Sequence, residues 1–96
     1  MAALTFAPRV ADDLREIGDW IAQDNPERAI TFIEELTAAC QNLMDFPLAY
    51  PPIPRFGLTT RRCNHGSYAI LYDVADDVVK ILAIVHGARD IDVMGF

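Results

Sequence analysis

Lysine occurs once in the 96 residues, as Lys80, and cysteine and histidine occur twice each. Eight cations face fourteen acids, for a formal charge of −6 and a pI near 4.6. That balance excludes a broad nucleic-acid footprint, which needs many phosphate-neutralising side chains. Two histidines without a Cys-x-x-Cys pair give no support to a metal centre, and no cofactor motif is present. No apolar run reaches membrane-spanning length. The first residues lack a charged stretch leading into an apolar one, so a cytoplasmic protein is expected. In that compartment Cys40 and Cys63 are expected to be reduced packing residues without thiol chemistry.

Half of the chain, 52%, is hydrophobic, enough for one compact domain over residues 1–96. Charge is uneven along it. Residues 1–48 hold three Arg against nine Asp and Glu, whereas residues 49–96 balance. Between Arg55 and Tyr72 there are three Arg and no acid, so a local basic patch survives inside an acidic protein.

Ala3-Leu4-Thr5-Phe6 reads as a short strand. Pro8 suits the first turn of a helix, where a missing N–H costs nothing. Val10, Leu14, Ile17 and Ile21 then recur at helical spacing, with Asp12, Asp13, Glu16 and Asp19 assigned to the other faces. Trp20 lies off that stripe and is expected to pack between helices. Asn25-Pro26 stops one helix and caps the next. Ala29, Ile33, Leu36, Cys40 and Leu43, widened by Phe32 and Ala39, make a broad core-facing stripe. Pro47, Pro51, Pro52 and Pro54 break the helix and stiffen a crossover.

Three strands are expected afterwards: Leu58–Asn64, Ser67–Ala75 and Val78–His86, turning at His65-Gly66 and Asp76-Asp77. A two-residue Asp76-Asp77 loop sets Asp73 opposite Lys80. It also puts Tyr68, Ile70, Tyr72, Val74, Val79, Ile81, Ala83 and Val85 on the helix-covered face. Ala69, Leu71, Leu82 and Ile84 are left in the middle of the other face. An apolar centre there calls for a cover: the tail Ile91–Phe96, a second copy, or a partner protein. The architecture expected is α+β, an N-terminal strand and a helical hairpin followed by a three-strand antiparallel meander.

Arg61, Arg62, His86 and Arg89 form the polar cluster worth weighing. Strand alternation sends Arg61 and Arg62 to opposite faces. The two-residue His65-Gly66 loop turns Arg62 outward, and a longer loop or a bulge reverses the pair. His86, as an imidazole, is a candidate base, although a local role fixing the turn at Gly87 competes with it. Arg89 is a candidate for an ion pair with Asp90, Asp73 or an external carboxylate.

The apolar strand ending in His86-Gly87-Ala88-Arg89-Asp90 and the Tyr68-Ala-Ile-Leu-Tyr72 run both belong to a larger pattern. With the two helices meeting at Asp24-Asn25-Pro26, and with Phe6-Ala7-Pro8 leading to Asp12-Asp13-Leu14, they resemble the ParE branch of the RelE/ParE toxin superfamily. The resemblance runs over nearly the whole chain to Ile91. It implies a type II toxin that inhibits DNA gyrase by binding and is neutralised by a ParD-type antitoxin that wraps it. The assembly would then be a homodimer or a toxin–antitoxin heterotetramer, with Ala69, Leu71, Leu82 and Ile84 as the antitoxin-binding face. The resemblance favours Arg61 of the two arginines, seven residues before the first Tyr of the next strand. RelE-like members are instead ribosome-dependent mRNA endonucleases with a basic surface. This chain has one Lys and no Tyr after Tyr72, so enzymatic cleavage using Arg61 or Arg62 with His86 and Arg89 is the alternative. A non-toxic interaction module is the third reading, suggested by an acidity unusual among the superfamily.

Overall fold

A computed structural model describes residues 3–53 and 59–87. Leu58, Arg89 and the tail Ile91–Phe96 lie outside the described residues. Strand β1 (Ala3–Phe6) leads into helix α1 (Arg9–Ala22), helix α2 (Pro26–Asn42) and strands β2 (Thr60–His65), β3 (Tyr68–Ala75) and β4 (Val78–His86). The sheet order is β1-β4-β3-β2, with β1 parallel to β4 and the other pairs antiparallel. The α+β architecture is therefore the one expected, with β1 added to the far edge of the meander.

The helical hairpin follows from its caps. The Asn25 side chain accepts the Arg28 N–H at 3.1 Å, and Pro26 is the first residue of α2. The α2 stripe buries Phe32, Leu36, Cys40 and Leu43 against Ile70, Tyr72, Val79 and Ile81 of the sheet, with Val10 and Ile17 of α1 closing the core. Cys40 and Cys63 are free thiols inside it. The Tyr72 hydroxyl donates to the Pro47 carbonyl at 2.9 Å and ties the crossover to the core. Trp20 departs from expectation: it stands 62% exposed instead of packing between helices.

Two turns set the strand registers. Asp76 and Asp77 both have positive φ (51° and 63°), the backbone of a two-residue type I′ hairpin, and Asp73 does face Lys80. The first turn is Gly66-Ser67, not His65-Gly66. Gly66 at φ 59° supplies the left-handed first position, which extends β2 through His65.

The face assignment of β4 needs correction. Tyr72 pairs with Ile81 but Leu71 pairs with Ala83, so Leu82 is an extra, bulged residue. One inserted residue swaps every later side chain to the opposite face. Ile84 therefore belongs to the main core, while Ala83 and Val85 join Ala69 and Leu71 on the outer face. The bulge coincides with an unexpected buried acid. Asp13 is only 8% exposed, and its Oδ2 accepts the Ile84 N–H at 3.1 Å beyond the end of β1. Arg9 donates to the same carboxylate through Nε and Nη2, both at 3.1 Å.

Candidate functional site

The outer sheet face is not an open apolar surface. Ala69, Leu71, Ala83 and Val85 are 0–5% exposed, with Ile53 and Leu82 packed against them as a second small core. Of the four residues expected to bind a partner, Ala69 and Leu71 are thus already buried and Ile84 faces the helices. Leu82 alone keeps part of its surface.

The two arginines diverge as strand alternation requires. Arg61 pairs with Tyr72 on the helix side, and its Nη1 donates to the carbonyls of Tyr50 at 2.5 Å and Leu48 at 3.5 Å. It staples the crossover to β2. Burial pushes the Tyr72 hydroxyl up to about 12, against the opposing pull of the Arg61 charge. The neighbouring Cys40 thiol is pushed up to about 11, chiefly by burial and then by Cys63, so it is held as an inert thiol near neutrality.

Arg62 goes to the outer side, and at the end of the sheet it shares a hollow with His86, whose strand row faces the helices. Arg62, Asn64, Ser67, Tyr68, His86 and Gly87 line a hollow of about 260 Å³ at the end of the sheet. Arg62 Nε donates to Asn64 Oδ1 at 2.6 Å. A Cβ at Gly87 would lie 2.7 Å from Arg62 Nη2, so the glycine lets the guanidinium approach the backbone, while the Gly87 N–H donates to the Ser67 carbonyl at 2.9 Å. Among the described residues the lining is rich in hydrogen-bond donors and includes no carboxylate, which suits an anionic group. Arg89, the fourth member of the expected cluster, lies outside the described residues.

A second group of polar residues adjoins this hollow and was not singled out from sequence. His65, Tyr68 and His86 are cross-strand neighbours in one row of β2, β3 and β4. Phe32 of α2 meets His65 and Tyr68 at centroid distances of 5.4 and 5.7 Å, and Tyr68 meets His86 edge-on at 5.5 Å. Above them, the Arg28 guanidinium lies 5.1 Å from the Phe32 ring. Glu35 joins both layers, bonded to Arg28 and, at 2.9 Å, to His65 Nε2. The spacing of Arg28, Phe32 and Glu35 along one helical face was a visible signal; their meeting with His65 depended on the shifted turn.

The Arg28 and His65 hydrogen bonds hold the Glu35 carboxyl well below its usual 4.5, at about 2. A depressed carboxylate stabilises the fold above its unfolded pKa and loses that contribution as pH falls through the folded value. The stability gap between wild type and Glu35→Gln should therefore be present at pH 6 and close between about 4.5 and about 2. Melting temperatures across that range check it. A gap that persists unchanged at the acid end would show that the carboxylate's charge is not its source.

The helical hairpin and mixed sheet together define a small α+β domain that carries the donor-lined hollow at one end of the sheet. The model of the family "ParE toxin of type II toxin-antitoxin system, parDE" matches residues 4–91, and the chain belongs to that family. No curated protein gives a significant match. Among solved structures, the chromosomal ParDE toxin–antitoxin system from P. aeruginosa is similar at TM-score 0.75 and 19% identity, over 90% of this chain and 96% of that one. The RelBE2 toxin–antitoxin complex from Mycobacterium tuberculosis follows at TM-score 0.68 and 22% identity, over 88% and 96%. The RelB–RelE complex from Methanococcus jannaschii is similar at 0.59 and 21%, over 94% and 98%. At these identities the structures establish the shared fold. Among the described residues, no helix is long and apolar enough to cross a membrane.

Proposed function

We propose that this protein is the toxin of a cytoplasmic type II toxin–antitoxin module, that it acts by binding DNA gyrase, and that a ParD-type antitoxin neutralises it. The observation that carries the reading is the extent of the family match, which spans β1, both helices and the whole meander. The donor-lined hollow at Arg62 and His86 suits an anionic group, which is compatible with a binding role. Inducible expression in a bacterium tests the proposal. Induction of a DNA-damage reporter while translation continues is the expected result, together with inhibition of supercoiling when the purified protein is added to gyrase. Translation arrest without DNA damage would overturn it.

One observation favours a second reading. Arg62, Tyr68 and His86 meet in a single hollow, and these are residue types an RNA-cleaving site uses. For an mRNA endonuclease, a translating extract given the protein should show codon-phased cleavage that disappears in His86→Ala. Intact message would leave the binding reading in place.

A further inference from the structure

The one tryptophan of the chain lacks the packing role that its size suits. Trp20 stands 62% exposed near the tip of the helical hairpin, although so large an aromatic gains most from burial. Glu16 and Asp24, four residues before and after it, are exposed as well. Neither joins an ion pair among the described residues. The tip is therefore an acidic surface that carries an aromatic anchor.

The opposite end of the hairpin carries the complement. Helix α2 runs from the tip to the crossover, 17 residues or roughly 25 Å. From Phe46 to Tyr72 the sequence has three Arg and no Asp or Glu. Phe46 and Leu48 stand 71% and 66% exposed at the start of that stretch. Phe46 also lines a hollow of about 250 Å³ with Ala39, Leu43, Tyr50 and Cys63, where Asn64 supplies an amide. No acid lines it among the described residues. Arg61 holds the crossover through the Leu48 and Tyr50 carbonyls, and its positive charge meets no carboxylate among the described residues. Apolar walls with one amide suit an indole, which needs a surface for its rings and an acceptor for its N–H.

We propose that the hollow takes a second copy of this chain: Trp20 of one molecule enters it beside Phe46 and Tyr50 of the next, with Glu16 and Asp24 set against Arg61. Charge decides the orientation. A two-fold contact between tips would press carboxylates together, and one between crossovers would do the same with Arg61. Only tip against crossover brings opposite signs face to face. Such a contact is heterologous, so the end molecules keep one tip and one hollow free and association runs past the dimer. A buried tryptophan ringed by charge is the arrangement in which few residues carry most of the binding. The contact stands independently of the toxin reading.

Sedimentation of the purified chain over a concentration series tests the contact, alongside Trp20→Ala, Phe46→Asp and an equimolar mixture of the two. The wild type should gain mass with concentration and pass beyond the dimer. Each variant alone should stay monomeric to at least about tenfold higher concentration. The mixture should form a one-to-one complex and nothing larger, because only the tryptophan of one variant and the hollow of the other remain. Trp20 is the sole tryptophan, so its emission in the wild type should move to shorter wavelength and lose access to acrylamide as concentration rises. That readout is untouched by any folding defect in a variant. A wild type still monomeric at about 1 mM, with unchanged emission, overturns the proposal. Association that Trp20→Ala retains, or a mixture that behaves as its separate components, overturns it equally.

Discussion

Leu36→Asp should unfold the domain. Leu36 is fully buried between α2 and the sheet, in contact with the core that holds Ile70, Tyr72 and Ile81. The substitution removes a large apolar side chain, worth about 2–5 kcal/mol in such a site. It also places a carboxylate in an apolar core, adding several kcal/mol or forcing protonation. The total approaches the whole stability of a small domain, about 5–15 kcal/mol. Glu34→Ala, one turn-face away and exposed, should leave the melting temperature close to wild type. Circular dichroism on the two variants separates them; matching melting curves would mean that the α2 stripe does not face the sheet. Glu35, although on the same helix, is not interchangeable with Glu34, because it links Arg28 to His65.

Asp13→Ala is the second large effect expected. The carboxylate accepts the buried Ile84 N–H where β1 no longer reaches β4, and Arg9 holds it in place from α1. Alanine leaves that N–H buried and unpaired, which costs about 1–3 kcal/mol beyond the lost ion pair. The Arg9 contribution itself is minor, since its side chain is half exposed. Asp13→Asn retains an acceptor for Ile84 and should lose much less. Denaturant unfolding measures both. Equal losses in the two variants would assign the effect to charge instead of to the hydrogen bond. Because Asp13 fastens α1 to β4 next to the bulge, amide exchange at Ile84 should rise in Asp13→Ala even where the global fold survives.

Periodicity and local chemistry determined much of this protein. The α2 stripe, the Asn25-Pro26 cap and the Asp76-Asp77 hairpin are all local: each depends on residues within one turn of one another, so sequence spacing carries them. The Asp73–Lys80 register followed from the same turn. Tertiary structure decided what lies beyond the reach of spacing. The bulge at Leu82 moved Ile84 into the core and Ala83 and Val85 out of it, and it lies beside the bond from Ile84 N–H to Asp13, on a helix some seventy residues earlier. An acid on an amphipathic helix usually belongs on a solvent face, and the Ile84 N–H together with Arg9 makes the burial of Asp13 favourable. The one-residue shift of the Gly66-Ser67 turn kept Arg62 outward and carried His65 to Phe32 and Glu35. The candidate polar site was therefore half legible. Arg62 and His86 stood out by residue type, whereas the partners that give them a shared hollow come from neighbouring strands whose pairing no local rule specifies.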